Sequence, residues 1–234
     1  MLDFILESCR ERRSKIITTP NAEIANHCLE NPIVMEAVQQ SSMIIPDGAG
    51  VVIASKILKT PLRGKVAGVE IATKLLPLIA EKGLKLYLFG GRQNIARAAK
   101  QRLLKKYPDI NVCGFKNGYF DADEEIAADI NLYSPDAVFV CLGTPRQELF
   151  MANNRHRINC GVMIGLGGTI DILAGRTKRA PQWMVKLYLE WLYRLLRQPA
   201  RFIRMLAVPS FLIKVRLRRK ELKKQNRREK ISGT

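Results

Sequence analysis

The sequence predicts an α/β fold, a Rossmann-like and mainly parallel sheet with helices on both faces, followed by a basic helical C-terminal appendage. Three observations carry this. Short apolar runs recur along the first three quarters of the chain, stretches of helical periodicity separate most of them, and many of the runs end in glycine, proline or asparagine. Strands joined by helical crossovers pair in parallel, and a parallel sheet has both faces covered.

Residues 3–13 read as a short charged helix and 16–19 as a strand. Pro20-Asn21 turns the chain into two helical stretches, 22–30 and 32–40. Residues 43–45 read as the apolar end of a buried strand; Pro46 stops its ladder, Gly48 and Gly50 permit a tight turn, and 51–58 has a helical apolar pattern. Helix over 69–82, strand over 85–89, a Gly90-Gly91 turn and an amphipathic helix over 94–106 follow. The series closes with strand 110–114, helix 123–132, strand 137–142, helix 145–157 and strand 161–164. No internal repeat or low-complexity linker interrupts it.

In such a sheet Asp47 falls at the carboxyl edge of a strand and beside a helix N-terminus, where open α/β folds bind ligands. Chemistry at Asp47 and simple capping of the following helix both fit the local sequence. Thr19-Pro20-Asn21, Pro46-Asp47-Gly48, Phe89-Gly90-Gly91, Gly143-Thr144-Pro145 and Gly165-Leu166-Gly167-Gly168 should all converge on one rim. Small residues there let backbone N–H groups approach phosphate oxygens, so the expected ligand is a nucleotide or another diphosphate. No complete Walker A or G-x-G-x-x-G pattern occurs, and one or two of these glycines are expected to be ordinary turns.

Other residues carry two readings. Asp171 can receive a base or sugar hydroxyl or cap the short 170–174 turn. Gln147-Glu148 can bind substrate or complete the first turn of its helix. Tyr119 can stack on a flat ring or sit as a half-buried loop aromatic. Asp121-Ala122-Asp123 resembles a D-x-D metal site, but Asp123 reads more simply as a cap before Glu124-Glu125. His27 and His156 lack carboxylate or cysteine partners at ligand spacing, so neither a metal site nor a Ser-His-Asp triad is expected.

A chain of 234 residues that is 47% hydrophobic and 26% charged has the composition of a globular protein. No run of apolar residues is long enough to span a bilayer, and Asp3, Glu7 and Glu11 argue against a secretory signal in the opening residues. Cys9, Cys28, Cys113, Cys141 and Cys160 are dispersed in apolar contexts, which predicts reduced core thiols in the cytosol. The net charge of +18 is concentrated. Residues 1–175 carry 21 Lys and Arg against 18 Asp and Glu, whereas 176–234 carry 18 against 3. The chain therefore divides into a body, 1–178, and a basic appendage, 179–234, which wants an anionic partner.

Within that appendage 181–197 reads as an amphipathic helix with Leu187, Trp191, Leu192 and Leu195 apolar, and Pro199 breaks or restarts it. Arg194, Arg197, Arg201 and Arg204 are spaced to share one face of a continuous helix, with hardly an acid nearby, which suits diphosphate binding better than a plain surface stripe. Residues 205–213 are apolar but too few to span a bilayer, and 214–230 are densely basic. That pairing predicts a segment lying on an anionic membrane surface, with Trp183, Trp191 and Tyr193 at headgroup level.

Together, Thr19-Pro20-Asn21, Pro46-Asp47-Gly48, Phe89-Gly90-Gly91, Gly118-Tyr119-Phe120, the run from Leu142 to Glu148, Gly165 to Asp171, Arg179-Ala180-Pro181, Glu190 to Arg194 and Pro199-Ala200-Arg201 resemble the motifs of the WecG/TagA/CpsF family of bacterial glycosyltransferases, in order and spacing from about residue 16 to 204. The resemblance implies transfer of N-acetylmannosamine from UDP to a lipid-linked GlcNAc diphosphate in wall teichoic acid synthesis, by an enzyme peripheral on the inner face of the cell membrane. It implies Asp47 as base on the acceptor hydroxyl, with Thr19 and Asn21 orienting sugar or hydroxyl. It further implies nucleotide-sugar binding by Gly90, Gly91, Tyr119, Gln147, Gly165, Gly167, Gly168 and Asp171, and diphosphate binding by Arg194, Arg201 and Arg204. Because those arginines would take over the charge neutralisation a metal provides elsewhere, no obligatory divalent ion and no other cofactor is expected. Family members usually carry a further segment ahead of the Thr-Pro-Asn strand, so by the resemblance an edge strand or hairpin is expected to be missing from this chain. Association of copies would cover apolar surface exposed if the tail is displaced.

Two alternatives stay open. A sibling transferase would use another UDP-sugar, N-acetylmannosaminuronic acid or glucose, and a uronate would want a further cation such as Arg63 or Lys65. A nucleotide-dependent module with the tail as an RNA-binding arm fits less well, because its apolar residues are clustered rather than interleaved with basic ones and Asp47 would have no task, so no nucleic-acid partner is expected.

Overall fold

The strands β1 (Lys15–Thr18), β2 (Met43–Ile44), β3 (Lys85–Gly90), β4 (Asn111–Lys116), β5 (Ala137–Cys141) and β6 (Val162–Gly165) pair entirely in parallel, in the spatial order β2-β1-β6-β5-β3-β4. The structure is a computed structural model and describes residues 1–177, 180, 181, 183, 184, 193 and 206–232, with side chains in the last segment through Gln225. Around the sheet lie α1 (Leu2–Glu11), α2 (Ala22–Glu30), α3 (Pro32–Gln39), α4 (Ala49–Leu58), α5 (Gly68–Glu81), α6 (Ile95–Lys106), α7 (Asp123–Tyr133), α8 (Arg146–Asn153), α9 (Thr169–Leu173) and a C-terminal helix (Ala207–Ser232). The predicted α/β class, with a parallel sheet and a helical tail, is what forms.

Strand register builds the core in rows. Met43, Ile17, Ile164, Phe139, Leu88 and Phe115 stand side by side across all six strands and meet α1, α5, α6 and α9. Their chain neighbours Ile16, Met163, Val138, Tyr87 and Phe89 point to the opposite face, under α7 and α8, as a period of two requires. Both faces being covered is why the central strands read as continuous apolar runs. Gly114 lies opposite Tyr87 at a register shift, and a Cβ there would stand 2.5 Å from the Tyr87 ring; the missing side chain is what lets the ring lie flat on β4. The Tyr87 hydroxyl donates to Asp129 on α7.

Three local expectations are corrected. The 43–45 segment is not a buried strand: β2 is two residues at the sheet edge with Ile44 49% exposed, because among the described residues β1 is its only strand neighbour and Pro46 cannot donate to extend the ladder. The helix expected over 145–157 stops at Asn153, where Asn154 turns its amide back to the Phe150 carbonyl (2.9 Å) and across to Asp123 (2.8 Å). Asp123 opens α7 but does not cap it; Ala122 holds that position, and Asp123, Glu124 and Glu125 place their charge in the first turn.

The apolar 205–213 segment is also more divided than expected. From Ala207 it and the basic run that follows form one continuous helix, through Ser232, that lies on α2 and α4. Phe211 and Val215 bury themselves beside Ala22 and Ala54, and Lys214 Nζ reaches Asn26 Oδ1 (2.8 Å) and Glu30 Oε1 (2.5 Å). Leu206, Ile213 and Leu217, on the opposite face, stay exposed. The helix expected over 181–197, the break at Pro199 and the arginine face Arg194, Arg197, Arg201 and Arg204 lie outside the described residues, although Ala180 and Met184 are buried and Trp183 is 59% exposed. All five cysteines are free thiols, four of them buried, and among the described residues no helix is long and apolar enough to cross a membrane.

Phe211 is the principal apolar anchor of the C-terminal helix. Phe211→Ala should cost about 3 kcal/mol of docking free energy; amide hydrogen exchange should show lost protection over 207–225 with the sheet unchanged.

Candidate active site

Parallel pairing brings the carboxyl ends of all strands to one rim. The connections leaving β3 and β5 run in opposite directions, toward β4 and toward β6, so a crevice opens between their ends at the switch point where open α/β sheets take ligands.

The β1–β2 end of the rim holds the carboxylate. The Asp47 N–H donates to the Pro20 carbonyl (2.9 Å) and the Val66 N–H to that of Pro46 (2.9 Å), which laces Asp47 between the turn after β1 and the loop carrying Lys65. Asp47 Oδ2 accepts from the N–H of Gly68, the first residue of α5, at 3.4 Å. The capping position of α4 belongs instead to Gly48, at φ +83°, and no side chain caps that helix, so Asp47 does not cap the helix that follows it. Asn21 Oδ1 accepts from the N–H groups of Glu23 (2.8 Å) and Ile24 (3.1 Å) and so caps α2. Its Cβ lies 3.7 Å from where a Cβ on Gly48 would be, and one on Gly50 would stand 2.8 Å from that of Ala22. The N-termini of α2, α4 and α5 therefore meet around Asp47, and their partial positive charges favour an anion in the space they share.

Thr19, buried, donates its hydroxyl to the Gly165 carbonyl at 2.8 Å and ties the end of β1 to the end of β6; its lone pairs remain available to accept. Gln147 packs under the same loop. Its Oε1 accepts from the Gly167 N–H (2.9 Å), and its Nε2 lies 3.1 Å from where a Gly165 Cβ would sit. Gly168 takes the capping position of α9, whose third residue is the half-buried Asp171, so Asp171 is not the N-cap of its turn. Thr19, Gly165, Gln147 and Gly167 thus form one chain of contacts, and the turn after β1 joins it to Asp47 and Asn21.

Across the crevice the glycines serve the backbone first. A Cβ on Gly90, at φ +125°, would stand 2.3 Å from the Cys141 carbonyl oxygen, and one on Gly91, at φ +74°, 2.9 Å from Ile95. These close approaches require glycine at both positions, and the turn brings the chain close enough to bind the next loop: the Gly118 N–H donates to the Gly91 carbonyl (2.9 Å). Arg146 Nη1 donates to the Gly118 carbonyl (2.8 Å) while its guanidinium stacks over Phe120, 4.2 Å from the ring centre. Tyr119, at the tip of this braced loop, is 67% exposed and offers its ring rather than burying it. Arg194, Arg201 and Arg204 lie outside the described residues. Among the described residues no three His, Cys, Asp or Glu side chains gather as a metal site, and in the Asp121-Ala122-Asp123 segment Asp123 is engaged by Asn154.

One member of the rim is buried more deeply than the sequence suggested. Glu148, in the first turn of α8, is 1% exposed; its Oε1 accepts from Gln147 Nε2 (2.8 Å), while Oε2 has no hydrogen-bond partner among the described residues. Burial pushes its carboxyl up to about 7, with Glu23 on α2 adding to the rise, against the pull of Gln147, its own backbone amide and the Thr144 hydroxyl. Cys28, also on α2, feels the same carboxylate and has its thiol raised, mainly by burial. An acid in a helix's first turn reads as a dipole partner, and its burial comes from tertiary packing that the local sequence does not show.

The chain matches the glycosyl transferase WecG/TagA/CpsF family along residues 1–226. It is 36% identical over 205 residues to the N-acetylglucosaminyldiphosphoundecaprenol N-acetyl-β-D-mannosaminyltransferase of Bacillus spizizenii, covering 88% of this chain and 80% of that protein. The likeness to the protein of the same name from Bacillus subtilis is 36% over 200 residues, 86% and 78% of the two chains. To that from Staphylococcus aureus it is 35% over 209 residues, 89% and 82%.

The folded carboxyl of Glu148 titrates at about 7 against 4.5 for an ordinary glutamate. Between those values the native state holds the extra proton, so stability from this group falls as pH rises through the window, and the penalty is complete above it. Glu148→Gln should therefore gain on the parent protein between pH 5 and 8, by up to roughly 3 kcal/mol. Parallel melting-temperature curves for the two proteins across that range would contradict this.

Proposed function

This chain belongs to the WecG/TagA/CpsF glycosyltransferase family, and on that footing we propose that it moves N-acetylmannosamine from UDP to the 4-hydroxyl of GlcNAc-diphospho-undecaprenol, forming the linkage unit of wall teichoic acid. The activity named for relatives 35–36% identical to it over the aligned residues supports the substrates. One observation supports the chemistry: a carboxylate, Asp47, is laced by backbone hydrogen bonds to the rim where three helix N-termini meet.

An α-linked donor and a β product call for a single in-line displacement. The acceptor oxygen forms a bond to the anomeric carbon as the bond to UDP breaks, Asp47 takes the hydroxyl proton, and the electron pair leaves with the diphosphate. Asn21 keeps its amide N–H groups for a sugar oxygen once its Oδ1 caps α2, and Thr19 can accept from a hydroxyl. Tyr119 offers a ring to the nucleobase, and Gly167, Gly168 and Asp171, beside the crevice, suit the nucleotide. The positive helix ends, joined in this reading by Arg194, Arg201 and Arg204, neutralise the departing diphosphate. Body 1–178 then carries donor binding, and appendage 179–234 completes the site at the membrane. The exposed Leu206, Ile213, Leu217 and Trp183 beside a tail with 18 Lys and Arg against 3 acids support docking on an anionic leaflet, peripheral on the cytoplasmic side.

With UDP-N-acetylmannosamine and a short-chain GlcNAc-diphospholipid, Asp47→Asn should lower radiolabel transfer by about two orders of magnitude or more without lowering the melting temperature. Transfer at parental rate would remove Asp47 as the base. Sedimentation with liposomes containing phosphatidylglycerol should carry the protein down at low salt and release much of it as salt rises; equal recovery with neutral liposomes would refute electrostatic docking.

A further inference from the structure

Glu148 is the one charged residue among the described ones that the core encloses almost completely, 1% exposed and with one carboxyl oxygen unpartnered among those residues. Such a group is costly to bury, and an apolar side chain of its size would not carry that desolvation cost. Glu148 hydrogen-bonds to a residue of the rim. Gln147 Nε2 donates to Glu148 Oε1 at 2.8 Å, and Gln147 Oε1 accepts from the Gly167 N–H at 2.9 Å.

These two partners leave the amide no choice of direction. A backbone N–H only donates, so the amide oxygen must face Gly167, and the amide nitrogen then faces Glu148 Oε1 as donor. The oriented amide lies flush against Gly165, whose carbonyl is held by the Thr19 hydroxyl. A continuous line of contacts therefore runs from the buried carboxylate through Gln147 to the 165–168 loop and to the strand end before Asn21. One N–H of the Gln147 amide is spent on Glu148 and the second is left for an acceptor oxygen.

We propose that Glu148 is a positioning residue of the sugar-transfer reaction: through Gln147 it fixes the amide and the 165–168 loop that receive the donor sugar-nucleotide. This rests on the reading of the protein as a UDP-sugar transferase. It separates the two neighbouring residues by role, Gln147 touching the donor and Glu148 acting only through it.

The test is a double-mutant cycle on kcat and KM for UDP-N-acetylmannosamine with the short-chain GlcNAc-diphospholipid, with melting temperature read at pH 8. Glu148→Leu should lower kcat/KM for the donor about tenfold to a hundredfold while melting no lower than the parent, and Glu148→Met, a second apolar variant of similar size, should match it. Glu148→Gln keeps an acceptor oxygen and should stay within about threefold of the parent. The pair Gln147→Ala and Glu148→Leu combined should be no slower than Gln147→Ala alone. Parental kcat/KM in both apolar variants, loss of rate only in step with loss of melting temperature, or multiplying effects in the double variant would overturn the proposal. A parent protein that transfers no N-acetylmannosamine and binds no UDP by calorimetry would instead overturn the proposed function and this inference with it, so the two failures are distinct.

Discussion

Parallel pairing is the constraint on which the remaining structure depends. It requires each strand to return by a crossover, the crossovers to cover both faces, and every strand to deliver its carboxyl end and the next helix's N-terminus to one rim. Asp47, Asn21 and Thr19 are neighbours for this reason alone, since the sequence separates them from Gly165 by more than a hundred residues. The same geometry gathers positive helix ends where a sugar-nucleotide carries its negative charge. A site for an anion is thus a by-product of the topology, and the side chains have only to refine it.

Glu148 shows what that refinement costs. Stability alone would choose an apolar residue at the α3–α8 contact, and the carboxyl that stands there is strained toward neutrality by its surroundings. Its tie to Gln147 gives a mobile amide a single direction. Proteins commonly keep such unfavourable groups where orientation matters more than packing.

Much of the fold was legible in the sequence because parallel strands buried on both faces advertise themselves as apolar runs, as 137–142 and 161–164 do. The site was legible in part for a related reason: strand ends rich in Gly, Pro and Asn mark the rim. The failures have physical causes. Met43-Ile44 looked buried because apolar composition does not report whether a strand has neighbours on both sides. Asp47 looked like a cap for α4 because sequence shows only the adjacent helix, whereas its partner, Gly68, comes from the next one. Glu148 was weighed as a substrate or first-turn residue, but its burial was not foreseen, because contacts between distant residues leave no local pattern. Tyr119 was weighed as half-buried, and Arg146 with Phe120 turned out to prop its loop outward.

The position of β1 in the sheet also fixes an order of events. β1 lies between β2 and β6, and its long-range register, Ile17 beside Ile164, exists only once residues 162–165 have been made. The C-terminal helix that covers α2 and α4 comes later still. A nascent chain therefore holds its earliest strand and the Asp47 turn with one partner missing through most of synthesis, while β3, β4 and β5 can already pair among themselves. The half of the rim that carries the carboxylate is written first and assembled last.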